Sequence, residues 1–121
     1  MSDAVQVITE AKGSAVVLRV EETQILADRA DTFRRCILAA VPPVGGRVAV
    51  DLRKVDFLDS SGLGALVSLL KAVRPEGELV LFGVRASVRE ILRLTHLDAV
   101  FPCEEDEAKA LATLLGSSRT R

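Results

Sequence analysis

Two kinds of hydrophobic pattern alternate along this chain. Short apolar runs are typical of buried strands, and apolar residues that recur every three or four positions are typical of helices with one buried face. Segments rich in Gly, Pro, Asp and Ser separate the two kinds, and such residues favour turns. The pattern therefore predicts alternating strands and helices, preceded by a β-hairpin.

Five strands and four helices are predicted. The strands span residues 4–9, 15–20, 47–52, 78–84 and 100–101, and the helices span residues 23–41, 63–73, 87–97 and 104–115. The first two strands, with a turn at residues 10–14, form the hairpin. The third strand, the second helix and the fourth strand form a βαβ crossover, which places the two strands parallel to each other.

This order of elements predicts an α/β fold, in which a mixed sheet of four or five strands has about four helices packed on it. The chain has 121 residues, of which 49% are hydrophobic. That is one domain's worth of sequence, with enough apolar side chains for a core. We therefore predict a single domain over residues 1–121, ordered from about residue 4 to 115, with a tail at 116–121.

The charge balance excludes several classes of function. Sixteen Lys and Arg face 17 Asp and Glu, so the formal net charge is -1, whereas nucleic-acid-binding domains usually carry a basic face and a high pI. No apolar stretch is long enough to cross a bilayer, and the N-terminus lacks the pattern of a signal peptide. We expect a cytoplasmic protein without direct nucleic-acid binding or membrane insertion.

Few residues are suited to catalysis or metal binding. Two separated cysteines, Cys36 and Cys103, and one histidine, His96, cannot supply an ordinary four-ligand zinc site. The sequence contains neither a P-loop nor a GxSxG nucleophile elbow, and Val67 stands where a dinucleotide fingerprint needs its third glycine. We therefore predict no catalytic residue, no metal site and no cofactor.

The segment between the third strand and the second helix carries the most distinctive chemistry. It reads Asp-Ser-Ser-Gly-Leu-Gly at residues 59–64, so two hydroxyls lie beside a carboxylate where a helix begins. One interpretation is an ordinary helix cap, because Ser and Asp are common caps and Gly permits a tight entry. The other is a binding site for a phosphate or another anion, formed by the free N–H groups of the first helical turn.

This segment and its surroundings resemble a known family. The runs VAVDLRKVDFLDSSGLGALVSLLKAV and GELVLFGVRASVREILRLTHLDAVFPCEEDEAKAL are similar to the STAS domain of bacterial anti-sigma-factor antagonists. The resemblance covers residues 5–115 in layout and 47–115 in detail. It implies a STAS-like fold and a phosphorylation site at the serine directly after the aspartate, which is Ser60 here, with Ser61 as the alternative.

The resemblance also implies a partner. Such a protein, when unphosphorylated, binds an anti-sigma factor that is also a serine kinase, and thereby releases a sigma factor. We expect a monomer or a weak dimer. The second helix is expected to bury the stripe Leu63, Leu66, Val67 and Leu70. The expected partner-binding surface combines the motif with the opposite helix face and comprises Asp59, Ser60, Ser61, Gly62, Leu63, Gly64, Ala65, Ser68, Leu69 and Ala72.

One segment departs from the family pattern. Family members often carry a Gly-Glu-Leu-Asp-like segment between the second strand and the first helix, and its Asp contributes to the partner surface. This chain has Thr-Gln-Ile-Leu at residues 23–26, with Leu26 near the Asp position and Asp28 as the nearest acid. Two alternatives stay open: a STAS subunit of another assembly, such as a stress-signalling scaffold or a lipid transporter, and a small-molecule or nucleotide sensor that uses the loop amides.

Overall fold

The computed structural model describes residues 5–42, 46–74 and 76–117. Within them the strands are β1 (Val7–Lys12), β2 (Ala15–Val20), β3 (Gln24–Ile25), β4 (Arg47–Asp51), β5 (Phe57–Leu58), β6 (Glu78–Phe82) and β7 (Cys103–Glu104). The helices are α1 (Ala27–Ala39), α2 (Ser60–Val73), α3 (Ala86–Leu94) and α4 (Glu107–Ser117), with a short 3-10 helix at Leu97–Ala99. In this part of the chain, no helix combines the length and the hydrophobicity that crossing a membrane requires.

Five of the strands form a mixed sheet in the order β1-β2-β4-β6-β7. β1 and β2 are antiparallel, whereas every other neighbouring pair is parallel. The turn between β1 and β2 places Gly13 at a φ of 62°, a left-handed conformation that glycine adopts without strain. The predicted α/β fold, with a mixed sheet and four helices, is confirmed.

The core occupies both faces of this sheet. Successive residues of a strand point to opposite faces, so Val48 and Val50 of β4 join the large cluster that contains α1, α2 and α3. Ala49 points the other way and packs with Ala110 and Leu114 of α4 in a smaller cluster. Burial on both faces explains why the three central residues of β4, Val48 to Val50, are all apolar rather than alternating with polar ones.

Two predicted helix boundaries near the motif are wrong. The helix predicted at residues 23–41 begins at Ala27, because Gln24–Ile25 forms β3, which pairs in parallel with β5. These two short strands make a second, two-stranded sheet. The helix predicted at residues 63–73 begins earlier, at Ser60.

The predicted strand at residues 100–101 is also wrong. Phe101 is a buried core residue, and the last strand of the sheet is β7, which pairs in parallel with β6. Phe101 contributes an apolar side chain to the core without entering the sheet, so its hydrophobicity does not indicate a strand.

The last helix begins later and ends later than predicted. Its predicted span is 104–115, but Glu104 belongs to β7 and the helix begins at Glu107. Asp106 precedes it and accepts a hydrogen bond from the backbone N–H of Lys109 at 2.9 Å. The helix continues to Ser117 and so includes the start of the predicted tail. Residues 118–121 of that tail, and residue 4 of the first predicted strand, lie outside the described residues.

Candidate functional site

Asp59 joins the beginnings of two helices. Its Oδ1 atom accepts a hydrogen bond from the backbone N–H of Gly62 at 3.0 Å and so caps the N-terminus of α2. Its Oδ2 atom accepts a second bond from the backbone N–H of Ala27 at 2.8 Å, the first residue of α1. A carboxylate at a helix N-terminus satisfies free N–H groups and interacts favourably with the helix dipole. One side chain therefore fixes the starts of α1 and α2 relative to each other.

Backbone contacts tighten this junction. The N–H of Asp59 donates to the carbonyl oxygen of Ile25 at 3.2 Å. Gly62 packs against the same carbonyl, since a Cβ atom at this position would lie 2.6 Å from that oxygen. A Cβ atom on Gly64 would meet nothing within 4 Å. Packing therefore requires the first glycine of the motif and leaves the second free.

Ser60 and Ser61 are the first two residues of α2, and both are exposed. Neither hydroxyl forms a hydrogen bond with any residue that the structure describes. Capping of α2 is the role of Asp59, so the two hydroxyls are not needed to satisfy the helix terminus. Both oxygen atoms are accessible to a partner protein or a modifying enzyme.

Two residues that the sequence placed on the outward face of α2 are buried instead. Ala65 is 2% exposed and Leu69 is 0% exposed. The expectation that both face outward is therefore wrong, because α2 packs against α1 as well as against the sheet and so buries two sides. Within the expected partner-binding surface Gly62 and Leu63 are buried, Asp59 and Ser68 are half-buried, and Gly64 and Ala72 are exposed.

A shallow groove runs between α1 and α2 next to the serines. Its lining consists mainly of small and polar residues: Ala27, Ala30, Asp31, Arg34, Ser61, Gly64, Ala65 and Ser68. Arg34 donates a hydrogen bond to Asp31 at 2.7 Å, and this contact holds the pKa of the Asp31 carboxyl below its usual range. A partner that docks beside Ser61 therefore meets a paired carboxylate and a row of small side chains.

Sequence reasoning missed an exposed aromatic residue beside the motif. Phe57 on β5 is 45% exposed, whereas its neighbour Leu58 is buried. Aromatic residues are enriched in the buried centres of protein–protein interfaces, so Phe57 is a candidate contact residue. Adjacent residues of a strand point to opposite faces, so Phe57 points outward because Leu58 lies in the core. A strand of two residues leaves no pattern in the sequence, so this exposure had no local signal.

The loop before the motif is held by the start of α3. The hydroxyl of Ser87 donates to the carbonyl oxygen of Asp56 at 2.7 Å. Nε of Arg85 donates to the carbonyl oxygen of Arg53 at 2.8 Å, and the same guanidinium pairs with the carboxylate of Asp56 at 3.2 Å. These contacts fix the backbone on the approach to Asp59.

The segment that departs from the family pattern also lies at this junction. Leu26 occupies the N-cap position of α1 and supplies no side-chain cap. The carboxylate of Asp59 supplies the missing acceptor through the backbone N–H of Ala27. Asp28 is exposed in the first turn of α1, so this end of the helix still presents an acid to solvent.

The remaining candidate residues do not form a metal or thiol site. The described ranges contain no group of three or more His, Cys, Asp or Glu side chains that could hold a metal ion. Burial raises the pKa of the Cys103 thiol, which disfavours the reactive thiolate form. His96 is exposed and takes a left-handed φ of 64° between α3 and the 3-10 helix.

Sequence comparisons identify a family whose model spans the motif at residues 59–64. A family model described as the STAS domain matches residues 6–110. An anti-sigma-B factor antagonist from Listeria monocytogenes is 33% identical over 61 residues, which cover 50% of this chain and 54% of that protein. The match spans little more than half the length of the first curated relatives.

Comparisons of structure agree with the fold. The crystal structure of an anti-sigma factor antagonist from Mycobacterium paratuberculosis has a TM-score of 0.80 and 26% sequence identity, and the match covers 94% of this chain and 97% of that one. An anti-sigma-factor antagonist (STAS) domain protein from Planctomyces limnophilus has a TM-score of 0.82 over 90% of this chain and 97% of its own. Its identity of 23% supports the fold alone.

Proposed function

This chain belongs to the STAS domain family, and we propose that it is an anti-sigma-factor antagonist: a cytoplasmic binding module rather than an enzyme. When unphosphorylated, it binds an anti-sigma factor with serine kinase activity and thereby frees a sigma factor. Phosphorylation of Ser60 by that partner ends the binding. The names of the matching relatives support the general role, and the geometry of the motif supports the switch.

The observation that carries the proposal is the position of Ser60. Its side chain is exposed at the first position of α2, directly after the capping Asp59. A kinase can approach this hydroxyl without unfolding any element, because neither the cap nor the core depends on it. Ser61 is equally exposed, so the assignment of Ser60 rests on the resemblance to the family motif.

A phosphate at this position would change docking more than folding. A phosphoserine adds about -1.5 to -2 charges and three acceptor oxygens. The positive end of the helix dipole tolerates that charge locally. Burying an imperfectly paired dianion in an interface costs several kcal/mol, and each ~1.4 kcal/mol is tenfold in affinity. We therefore expect binding to weaken by roughly a hundredfold or more.

Phosphosite mapping tests the covalent step. The protein is incubated with its cognate anti-sigma kinase and with Mg-ATP, and the modified residue is identified by mass spectrometry. We expect one phosphate on Ser60, retained in Ser61→Ala and lost in Ser60→Ala. Phosphate elsewhere than on Ser60 or Ser61, or no phosphate at all, would contradict the proposal.

Binding measurements test the switch. Ser60→Glu places a permanent charge at the site, and Ser60→Ala removes the hydroxyl without adding charge. We expect Ser60→Ala to bind the kinase as the wild type does and Ser60→Glu to lose affinity. Thr9→Glu, at an exposed position of β1, controls for the added charge alone. Equal affinities of Ser60→Glu and the wild type would overturn the switch.

A second function, as the STAS subunit of a scaffold or transporter assembly, is favoured by one observation. Leu26 stands at the N-cap of α1, near the position where the family often has an aspartate. Affinity purification from the native host distinguishes the two functions. Recovery of a small kinase supports the antagonist, and recovery of scaffold proteins or of a transport ATPase supports the alternative.

A further inference from the structure

A second surface lies towards the far end of α2. A hollow of about 460 Å³ opens between this helix and the segment after the 3-10 helix, and we name it the α2 hollow. It is lined by Val67, Leu70, Lys71, Arg74 and Val100. At 1.5 Å of rise per residue, its lining begins roughly 10 Å from Ser60 along the helix and ends roughly 20 Å away.

The floor of the α2 hollow is apolar. Val67 is half-buried, although the sequence predicts it in the core, and Val100 is 36% exposed. Leu70 also lines the hollow and is buried. Covering such partly exposed, branched apolar side chains with another apolar surface lowers the free energy.

The rim of the hollow is basic and unpaired. Lys71 and Arg74 are exposed, and neither forms an ion pair or a side-chain hydrogen bond with any residue in the described ranges. Asp and Glu side chains do not contribute to the lining. Many other basic side chains of this protein are paired, as in the contacts of Arg85 with Asp56 and Arg93 with Glu90. The hollow therefore lacks the negative groups that would complement its rim.

We propose that the α2 hollow binds an acidic amphipathic helix of a partner protein, with apolar residues on the floor and carboxylates against Lys71 and Arg74. Val67, Leu70 and Arg74 follow one another at helical spacing along α2, so the hollow extends lengthwise beside a helix. Such grooves are typically filled by a second amphipathic helix. This surface is separate from the one at Ser60, so the inference does not depend on the proposed function.

Two other occupants fit the hollow less well. In a two-fold symmetric dimer centred on it, the basic rim of one copy would face the same rim of the other, and like charges in an interface disfavour association. Binding to anionic lipid headgroups typically uses clusters of four to eight basic residues, whereas this rim supplies two. An acidic protein segment matches both the apolar floor and the modest positive charge.

The test uses a model peptide and isotope-labelled protein. The peptide is an amphipathic helix with leucines on one face and glutamates along its flanks, and a matched peptide has lysines in place of the glutamates. In heteronuclear NMR spectra, the acidic peptide is expected to shift the amide signals of residues 67–74 and Val100. Shifts that map elsewhere, an absence of shifts, or equal binding of the lysine peptide would overturn the proposal.

Charge-reversal variants make the test specific. Lys71→Glu and Arg74→Glu are each expected to weaken binding of the acidic peptide by roughly tenfold, because each removes an attraction and adds a repulsion. Arg89→Glu makes the same change of charge at an exposed position of α3 and is expected to leave affinity within about twofold. A comparable loss in Arg89→Glu would show that only net charge matters and would overturn the site.

The remaining arms distinguish other occupants and the proposed function. Phosphatidylglycerol vesicles that bind the wild type but not Arg74→Glu, together with no peptide binding, would assign the hollow to lipid. Sedimentation that shows a dimer dissociated by Arg74→Glu would assign it to a second copy. Ser60→Glu is expected to bind the acidic peptide as the wild type does, so failure at one surface is separable from failure at the other.

Discussion

Replacing Asp59 should cost about twice as much stability as the loss of one ordinary helix cap. Its two carboxylate oxygens accept hydrogen bonds from two backbone N–H groups that begin different helices, those of Gly62 and Ala27. Loss of one N-cap acceptor typically costs about 1 kcal/mol. Asp59→Ala removes both acceptors, so we expect the free energy of unfolding to fall by about 2 kcal/mol.

The expected effect is large enough to measure by two methods. In a domain of this size, 1 kcal/mol shifts the melting temperature by roughly 4 °C, so Asp59→Ala should melt roughly 8 °C below the wild type. Urea unfolding, followed by circular dichroism, should show a lower midpoint with an unchanged slope. Native-state hydrogen exchange adds positional detail, because the amides of Ala27 and Gly62 should both lose protection.

Two variants serve as controls for this prediction. Asp59→Asn keeps one carbonyl oxygen but turns an NH₂ group towards the other N–H, so we expect about half the loss. Asp56→Ala removes a carboxylate that forms an exposed ion pair with Arg85, and such pairs contribute about 1 kcal/mol or less. If Asp59→Ala lost no more than Asp56→Ala, or if only one of the two amides lost protection, the double cap would be refuted.

Three further predictions concern packing and charge. Gly62→Ala should lower the free energy of unfolding by about 2 kcal/mol through the clash with the Ile25 carbonyl, whereas Gly64→Ala, in open space, should raise it by up to about 1 kcal/mol; equal effects in urea titrations would contradict this. Arg19 bonds to Asp51 at 3.1 Å and to Glu107 at 2.9 Å, so Arg19→Met should cost about 3 kcal/mol by leaving a buried carboxylate with fewer partners, and a loss below about 1 kcal/mol in the same assay would refute it. The hydrogen bond from Arg19 lowers the pKa of Glu107. The ionised carboxylate therefore stabilises the fold fully above the ordinary pKa of Glu, and this stabilisation is lost as pH falls below about 4.5. In Glu107→Gln the free energy of unfolding should fall less steeply with decreasing pH in this acidic range, and an unchanged pH dependence would refute the linkage.

The charge cluster behind the last two predictions was not visible in the sequence. Arg19, Asp51 and Glu107 come from β2, β4 and α4, and only the parallel register of β2 and β4, which pairs Arg19 with Asp51, brings the first two together. Asp51 is 5% exposed. Burial by itself would raise the pKa of Asp51, but hydrogen bonds from Arg53 and Arg19 outweigh it, so the pKa is lowered. Such a cluster depends on contacts between distant residues that a local pattern does not contain.

The central strands of the sheet could be predicted because their signals are local. The strand predicted at residues 15–20 is confirmed with the same bounds, and that at residues 47–52 differs only at its end, since both are short, mainly apolar runs rich in valine. β3 and β5 could not be predicted in the same way, because two residues carry no measurable periodicity. The start of α1 was misplaced because its N-terminal acceptor is Asp59, which lies far away in the sequence.

The faces of α2 were harder to predict than its existence. The prediction of one buried stripe and one exposed face assumes that a single neighbour covers the helix. α2 packs against two neighbours, α1 and the sheet. Leu69 is therefore buried while Val67 is only half-buried. The serines were placed correctly at the surface for a different reason. Their exposure follows from the position of the strand-to-helix junction, which the motif itself marks.

The same junction explains why a charge on Ser60 should act on binding and not on folding. Asp59 and Gly62 hold the backbone through contacts with Ala27 and Ile25, and neither serine hydroxyl takes part in them. A phosphate would extend from a frame that is already fixed, at the end of α2 whose dipole favours negative charge. Changes in stability and changes in binding should therefore be separable by mutation at neighbouring positions of the motif. Ser60→Glu should bind the partner more weakly and keep the melting temperature of the wild type. Gly62→Ala should melt at a lower temperature, although the hydroxyls of Ser60 and Ser61 remain chemically unchanged. If Ser60→Glu melted several degrees below the wild type, Ser60 would contribute to the stability of the junction, and this reasoning would be refuted.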